Sequence, residues 1–199
     1  YQAKIQDAGG YRSGVIHEVF DSLMQKAPFE RGHSERVGLA CEMLAKALEL
    51  SASDVSDLRI AGELHDIGKI SLDATLLSKA EPLNDAEWMQ LRKHPETGYR
   101  LLGACSEYYS VADIVLAHHE RIDGTGYPRK LKGEEINVKS RILAVAEAFD
   151  AMVHAQPYRA ALSKSAAIAE LRKNAGTQFD AAIIEVFILK VADDYPGTV

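Results

Sequence analysis

The sequence predicts an all-α fold, a bundle of about seven or eight helices. Three observations carry this. Apolar residues recur at three- and four-residue spacing through almost every segment. β-type alternation never runs beyond three or four residues. Cap residues and helix breakers punctuate the chain at helix-length intervals.

The elements follow in order. Residues 1–12 read as a linker or the end of an upstream region, with Gly9-Gly10 as its break. From about residue 13 to 26, Val15, Val19, Phe20 and Leu23 recur at helical spacing. Pro28 interrupts, and a turn through Arg31-Gly32 leads to His33. Val37, Ala40, Cys41, Leu44 and Leu48 form the apolar face of the next helix. Ser51 and Asp54 have capping-box spacing and open a helix with Leu58, Ala61 and Leu64 inward. That helix delivers His65-Asp66 near its end and breaks at Gly68. Asn84 and Glu87 cap another, with Trp88 and Leu91 inward. Pro95 follows His94, so the helix stops there and restarts. Residues 107–119 form a helix carrying Val111, Ile114, Val115 and the pair His118-His119. After a loop at 120–137, Arg141 to Met152 is helical. Ile142, Val145, Ala146 and Phe149 pack there, while Leu143, Glu147 and Asp150 share another face. Ser163 or Ser165 caps a helix with Ile168 and Leu171, closed by Gly176. Asp180 caps the last, with Ile183, Ile184, Phe187 and Val191.

A chain of 199 residues, 47% of them hydrophobic, suits one domain with a proper core. Acids outnumber bases by 29 to 23, and no basic run forms a footprint for polymeric nucleic acid or anionic lipid. A small anionic substrate remains open if a metal or local bases overcome the global charge. Cys41 and Cys105 sit in apolar patterns and read as buried thiols of a reducing compartment. With no signal peptide and no long apolar run, the expectation is a cytoplasmic domain without membrane contact. The first residue is Tyr1 rather than Met, so upstream domains are expected.

His33, His65, Asp66, His94, His118, His119 and either Glu147 or Asp150 form the chemical constellation. Each His lies at a helix end or beside a breaker, where several helices can aim side chains into one cavity. A lone core His is usually just hydrogen-bonded, but five of the chain's seven His at such places need another reason. Seven N/O ligands are too many for one tetrahedral zinc and suit two metals bridged by a carboxylate. Asp66, directly beside a His, is the natural bridge. Without a thiolate, ligand softness favours Mn or Fe, with Co or Ni as further candidates. Two such ions activate a water and clamp the oxygens of an in-line displacement, which is chemistry for phosphoester hydrolysis. Lys69, one turn beyond His65, points at the same cavity and would neutralise phosphate or support the leaving group. Its other reading is a surface lysine favoured by a helix C-terminus.

These residues resemble a known family. His65-Asp66-Ile67-Gly68-Lys69 is similar to the signature of the HD superfamily of metal-dependent phosphohydrolases. His118-His119-Glu120-Arg121 through Gly126-Tyr127-Pro128 resembles the extended motif of its HD-GYP branch. The resemblance runs from about residue 14 to 190 and implies an HD-GYP phosphohydrolase domain over 13–195. It implies an all-helical cyclic di-GMP phosphodiesterase with two or three metals, typically iron or manganese. The product would be the linear dinucleotide pGpG, or GMP in some members. An upstream sensory or receiver domain is implied as partner, and diguanylate cyclase domains as partners of the Gly126-Tyr127-Pro128 loop.

Carried over by position, His33 and His65 match ligands of the first metal, Asp66 the bridge, and His94, His118 and His119 ligands of the second. Asp66 and Lys69 would carry the catalysis; Lys69, Tyr127, Asp150 and Arg159 would meet substrate. Members with a third metal have a glutamate four positions before the first His. Phe29 stands there, with Glu30 one residue along, so two divalent ions are implied. Two departures cluster. Glu147 replaces the family's aspartate as last metal ligand, and Gln156 stands where an arginine resembling a phosphate clamp is expected. His154 and His17 read as surface residues, and Glu120, Arg121 and Asp123 as salt-bridge partners holding the loop. The alternatives to an active cyclic di-GMP enzyme are a weakened metal- and nucleotide-binding signalling module, or a phosphodiesterase for another cyclic dinucleotide.

Overall fold

The computed structural model describes residues 2–155 and 160–195, with side chains from residue 14 onward. Helices α1 (Gln2–Lys26), α2 (Phe29–Ala47) and α3 (Ala52–Leu64) open the chain. The single turn α4 (Ala74–Leu77), α5 (Asp85–Leu91), α6 (His94–Gly103) and α7 (Tyr109–Leu116) follow. Then come α8 (Val138–Val153), α9 (Lys164–Lys173) and α10 (Ala181–Lys190). Among the described residues there is no strand, only an isolated bridge between Ala175 and Phe179. The expected all-α class holds. No helix is long and apolar enough to cross a membrane among the described residues.

Local chemistry explains most boundaries. The Ser51 hydroxyl accepts from the Asp54 amide at 3.2 Å and starts α3. Asn84 and Glu87 make both halves of a capping box at 3.0 and 2.8 Å and start α5. Asn137, Ser163 and Asp180 cap α8, α9 and α10 through their side chains.

Four expectations need correction. The break at Gly9-Gly10 is absent: α1 runs through both, because a helix tolerates glycine at about 1 kcal/mol each. The turn at Arg31-Gly32 is also absent, since α2 begins directly behind Pro28, whose φ of −59° is already helical. The helix before the His pair stops at Leu116, so His118 and His119 lie in the turn after it. Trp88 is 44% exposed rather than inward, because α5 is two turns long and stands at a cavity rim instead of on the core.

The core forms where α2, α3, α8 and α10 meet, with Leu44, Leu58, Ile142, Phe149 and Phe187 fully buried. Phe149 meets the ring of Phe187 at 4.9 Å and that of Tyr195 at 5.1 Å, both edge-on. Two close approaches set the frame for the site. A Cβ on Gly62 would fall 2.6 Å from the Gly38 Cα, so α2 and α3 touch backbone to backbone there. A Cβ on Gly68 would fall 2.0 Å from the His94 carbonyl oxygen. The 3₁₀ turn Ile67–Ser71 therefore lies against the start of α6, which brings Asp66 beside His94.

Candidate metal centre

Five elements contribute side chains, four of them near where a helix begins or ends and α8 from its middle. His33 comes from the second turn of α2, and His65-Asp66 from the end of α3. His94 opens α6, His118-His119 follow α7, and Glu147 projects from α8. The donor atoms of His33, His65 and Asp66 lie within 4.8 Å of one another, and so do those of His94, His118 and His119. Asp66 joins the two sets. Its Oδ2 lies 3.0 Å from His65 Nε2 and 3.9 Å from His33 Nε2, while Oδ1 lies 3.3 Å from His94 Nε2.

The chemistry of the donors fits cations. Nδ1 of His65, His94 and His118 donates to the carbonyls of Gly62, Leu91 and Val115, each three residues earlier. This fixes the tautomers and aims every Nε2 inward. Burial, reinforced by the neighbouring imidazoles, holds His118 and His119 well below the ordinary histidine range. His94 is pushed down to about 4, chiefly by burial. Nε2 of His94 and of His118 then face each other as bare lone pairs at 3.3 Å. Two neutral acceptors in that position need a cation between or beside them. On the other side burial works against the charge on His65, but Asp66 outweighs it and holds that imidazole up at about 9. Asp66 stays ionised, because His65 and Lys69 overcome the cost of its burial.

Lys69 belongs to the same cluster. Its Nζ lies 2.7 Å from Asp66 Oδ2 and 2.7 Å from Glu30 Oε1. Burial works against its charge, but these two acids keep it cationic. Glu30, the residue beside the family's third-metal position, is buried and spent on Lys69.

Glu147 lies at the edge of the second ligand set, beside His118 and His119. Its oxygens are 3.8 Å from His119 Nε2 and 4.0 Å from His118 Nε2, and burial raises its carboxyl to about 7. Asp150 differs from its expected place facing substrate. It is fully buried and accepts from His33 Nδ1 at 2.6 Å, Arg36 Nε at 2.6 Å and the Tyr195 hydroxyl at 2.6 Å. The reason is rotation: three residues beyond Glu147, it turns toward α2. His154, expected at the surface, places Nδ1 3.0 Å from Asp150 Oδ1. Arg159 and Gln156 lie outside the described residues.

The loop after His119 is held from several sides. Glu120 is buried and accepts from the amides of Arg129 at 2.6 Å and Leu131 at 3.0 Å, not from a basic side chain. Asp123 does pair with Arg121, at 3.0 Å, and its amide donates to the Thr177 carbonyl at 2.8 Å. The Tyr127 ring stacks on His119 with centroids 4.8 Å apart, and the Tyr127–Pro128 peptide is cis. Two cavities reach the ligands, one of about 400 Å³ and one of about 470 Å³. Asp66, Lys69, Trp88, Leu91 and Glu147 line both.

Sequence reasoning missed Arg36, Tyr195 and Arg92. Arg36 carried a signal, since it lies three residues after His33 on the same helix face. Tyr195 carried none, being 45 positions from Asp150.

Comparison with known proteins identifies the family. The family model described as HD domain matches residues 19–183. The chain is 39% identical over 155 residues to the 3'3'-cGAMP-specific phosphodiesterase 3 of Vibrio cholerae, covering 78% of this chain and 34% of that protein. It is 39% identical over 156 residues to the cyclic di-GMP phosphodiesterase response regulator RpfG of Xanthomonas campestris pv. campestris, covering 77% and 41%. The chain thus spans between a third and a half of the length of these curated relatives. Among solved structures, an HDG"Y"P protein from Bdellovibrio bacteriovorus superposes with a TM-score of 0.66 at 21% identity, over 80% of this chain and 52% of that one. That likeness concerns the fold.

Proposed function

The chain belongs to the HD domain family, and from that premise we propose that it is an HD-GYP member, a two-metal phosphodiesterase opening cyclic di-GMP to linear pGpG. The observation that carries this reading is the division of one carboxylate between two histidine sets, Asp66 Oδ1 toward His94 and Oδ2 toward His65. His33, His65 and Asp66 would hold one divalent ion; His94, His118, His119 and the other Asp66 oxygen would hold the second. Iron or manganese suits this N/O set. When bound, the two ions supply an electrophilic clamp on the phosphate and an acidified water as nucleophile.

The remaining work falls to the chain's own residues. Lys69, kept cationic by Asp66 and Glu30, faces both cavities and balances charge developing on the phosphate. Tyr127 packs on His119 and excludes water from one side of the centre. Asp150 takes the role of orienting His33, in place of a substrate contact. Arg159 stays the proposed phosphate contact, on the resemblance alone. So do the upstream sensory or receiver domain, the diguanylate cyclase partners of the Gly126-Tyr127-Pro128 loop, and the cytoplasmic site of action.

The test is anaerobic reconstitution with Mn or Fe(II) and chromatography of cyclic di-GMP digests. Linear pGpG is expected. Two bound metals without any linear product would refute the catalytic reading for this substrate.

Glu147 favours a second reading, a slow or silent signalling module. Its carboxylate reaches only the edge of the second ligand set, at 3.8 Å from His119, and burial raises its carboxyl to about 7. Glu147→Asp with Gln156→Arg separates the two. A large gain in rate supports a weakened site, and no change shows that the departures are tolerated.

A further inference from the structure

The two cavities that flank Asp66 and Lys69 differ in character. The smaller has an apolar wall of Leu76, Leu77, Pro82 and Leu83. The larger contains Arg92, Gln178 and the Tyr127 ring. Trp88, the chain's only tryptophan, borders both. Arg92 has no role in the chemistry described so far. Its guanidinium carbon lies 5.8 Å from the Trp88 ring centroid and 5.4 Å from that of Tyr127. Among the described residues no carboxylate pairs with it. Arg92 is exposed, and its N–H donors lie beside two aromatic rings at the edge of a cavity that opens on the metal ligands.

We propose that Arg92 reads the guanine of a cyclic dinucleotide in the larger cavity, so that the site demands at least one guanine per substrate. This rests on the phosphodiesterase reading above. Guanine presents O6 and N7 as adjacent acceptors, which two N–H groups of one guanidinium satisfy together. Adenine presents N7 beside an amino donor, so one Arg92 donor would face another donor. A base suits this place better than a phosphate does. The phosphate has Lys69 and the metal ligands, whereas the half-exposed Trp88 ring offers a flat face beside Arg92 on which a purine stacks. The apolar cavity has no comparable donor: its Lys79 is held by Glu87 at 2.7 Å. It would accept a second purine by contact area alone and discriminate little.

Trp88 provides the readout. The Mn-loaded protein is mixed rapidly with cyclic di-GMP, 3'3'-cGAMP or cyclic di-AMP, and tryptophan quenching is recorded before turnover. The two guanine-containing ligands should bind alike and cyclic di-AMP about tenfold more weakly or worse. Arg92→Met should bring all three within about threefold by weakening only the guanine-containing pair. Equal binding of all three by the unaltered protein overturns the proposal. So does an equal loss for all three in Arg92→Met, which would mark a phosphate contact, and so does the absence of quenching by any of them. Guanine-selective binding without linear product would sink the phosphodiesterase reading and leave this one standing; linear product without selectivity would do the reverse.

Discussion

Nδ1 of His33 donates to Oδ2 of Asp150 at 2.6 Å, joining α2 to α8 across 117 positions of chain. The other ring nitrogen of His33 is thereby aimed at His65 and Asp66. Burial alone would raise the Asp150 carboxyl, but bonds from His33, Arg36 and Tyr195 hold it well below the carboxylate range. It is a fixed anion behind a metal ligand, and partners of this kind govern ligand orientation and basicity.

Asp150→Asn should therefore lower affinity for one of the two metals by about 10- to 100-fold and leave the other in place. Competition with a chromogenic chelator measures both. Equal weakening of the two sites would show a general loss of structure instead.

Lys69 makes the catalytic prediction. Lys69→Met alone strands Glu30 as a buried unpaired acid, so it is combined with Glu30→Gln. The double variant should keep two metals while kcat on cyclic di-GMP falls about 100- to 1000-fold, as for removal of one preorganised donor. An unchanged kcat would return Lys69 to a structural role.

Gly68 makes the stability prediction. The methyl of Gly68→Ala would sit 2.0 Å from the His94 carbonyl oxygen and 2.6 Å from the Gly98 nitrogen, both backbone atoms. The cost should be about 3 kcal/mol or more in urea unfolding, with loss of metal binding as Asp66 and His94 separate. Gly103→Ala is the control: its methyl meets nothing within 4 Å, and it should cost nothing.

Metal removal should also register as stability. At a free metal concentration near 100 times Kd, each site contributes about 2.7 kcal/mol of apparent stability, provided the unfolded chain binds none. Calorimetry before and after chelation reads this as a lowered Tm. An unchanged Tm would mean that the ligand sets hold no metal.

Much of this was legible where spacing alone decides. The Ser51 and Asn84 caps are local, and so is the arrival of each imidazole at a helix end. The rest depends on tertiary packing. Helical periodicity could not tell that Trp88 faces a cavity rather than the core, since both call for an apolar side chain. Nor could it separate Glu147 from Asp150: one shared face at i and i+3 spans about 60°, enough to send one carboxylate to the cavity and the other to His33. The Gly9-Gly10 pair read as a break because glycine is costly in a helix, though not prohibitive.

Anomalous scattering from a crystal grown anaerobically with Mn addresses the bridging role of Asp66 most directly. The account predicts two peaks per chain, one between His33, His65 and Asp66 and one between His94, His118 and His119, with one Asp66 oxygen on each. A single peak, or two peaks with Asp66 bound to only one, would contradict it.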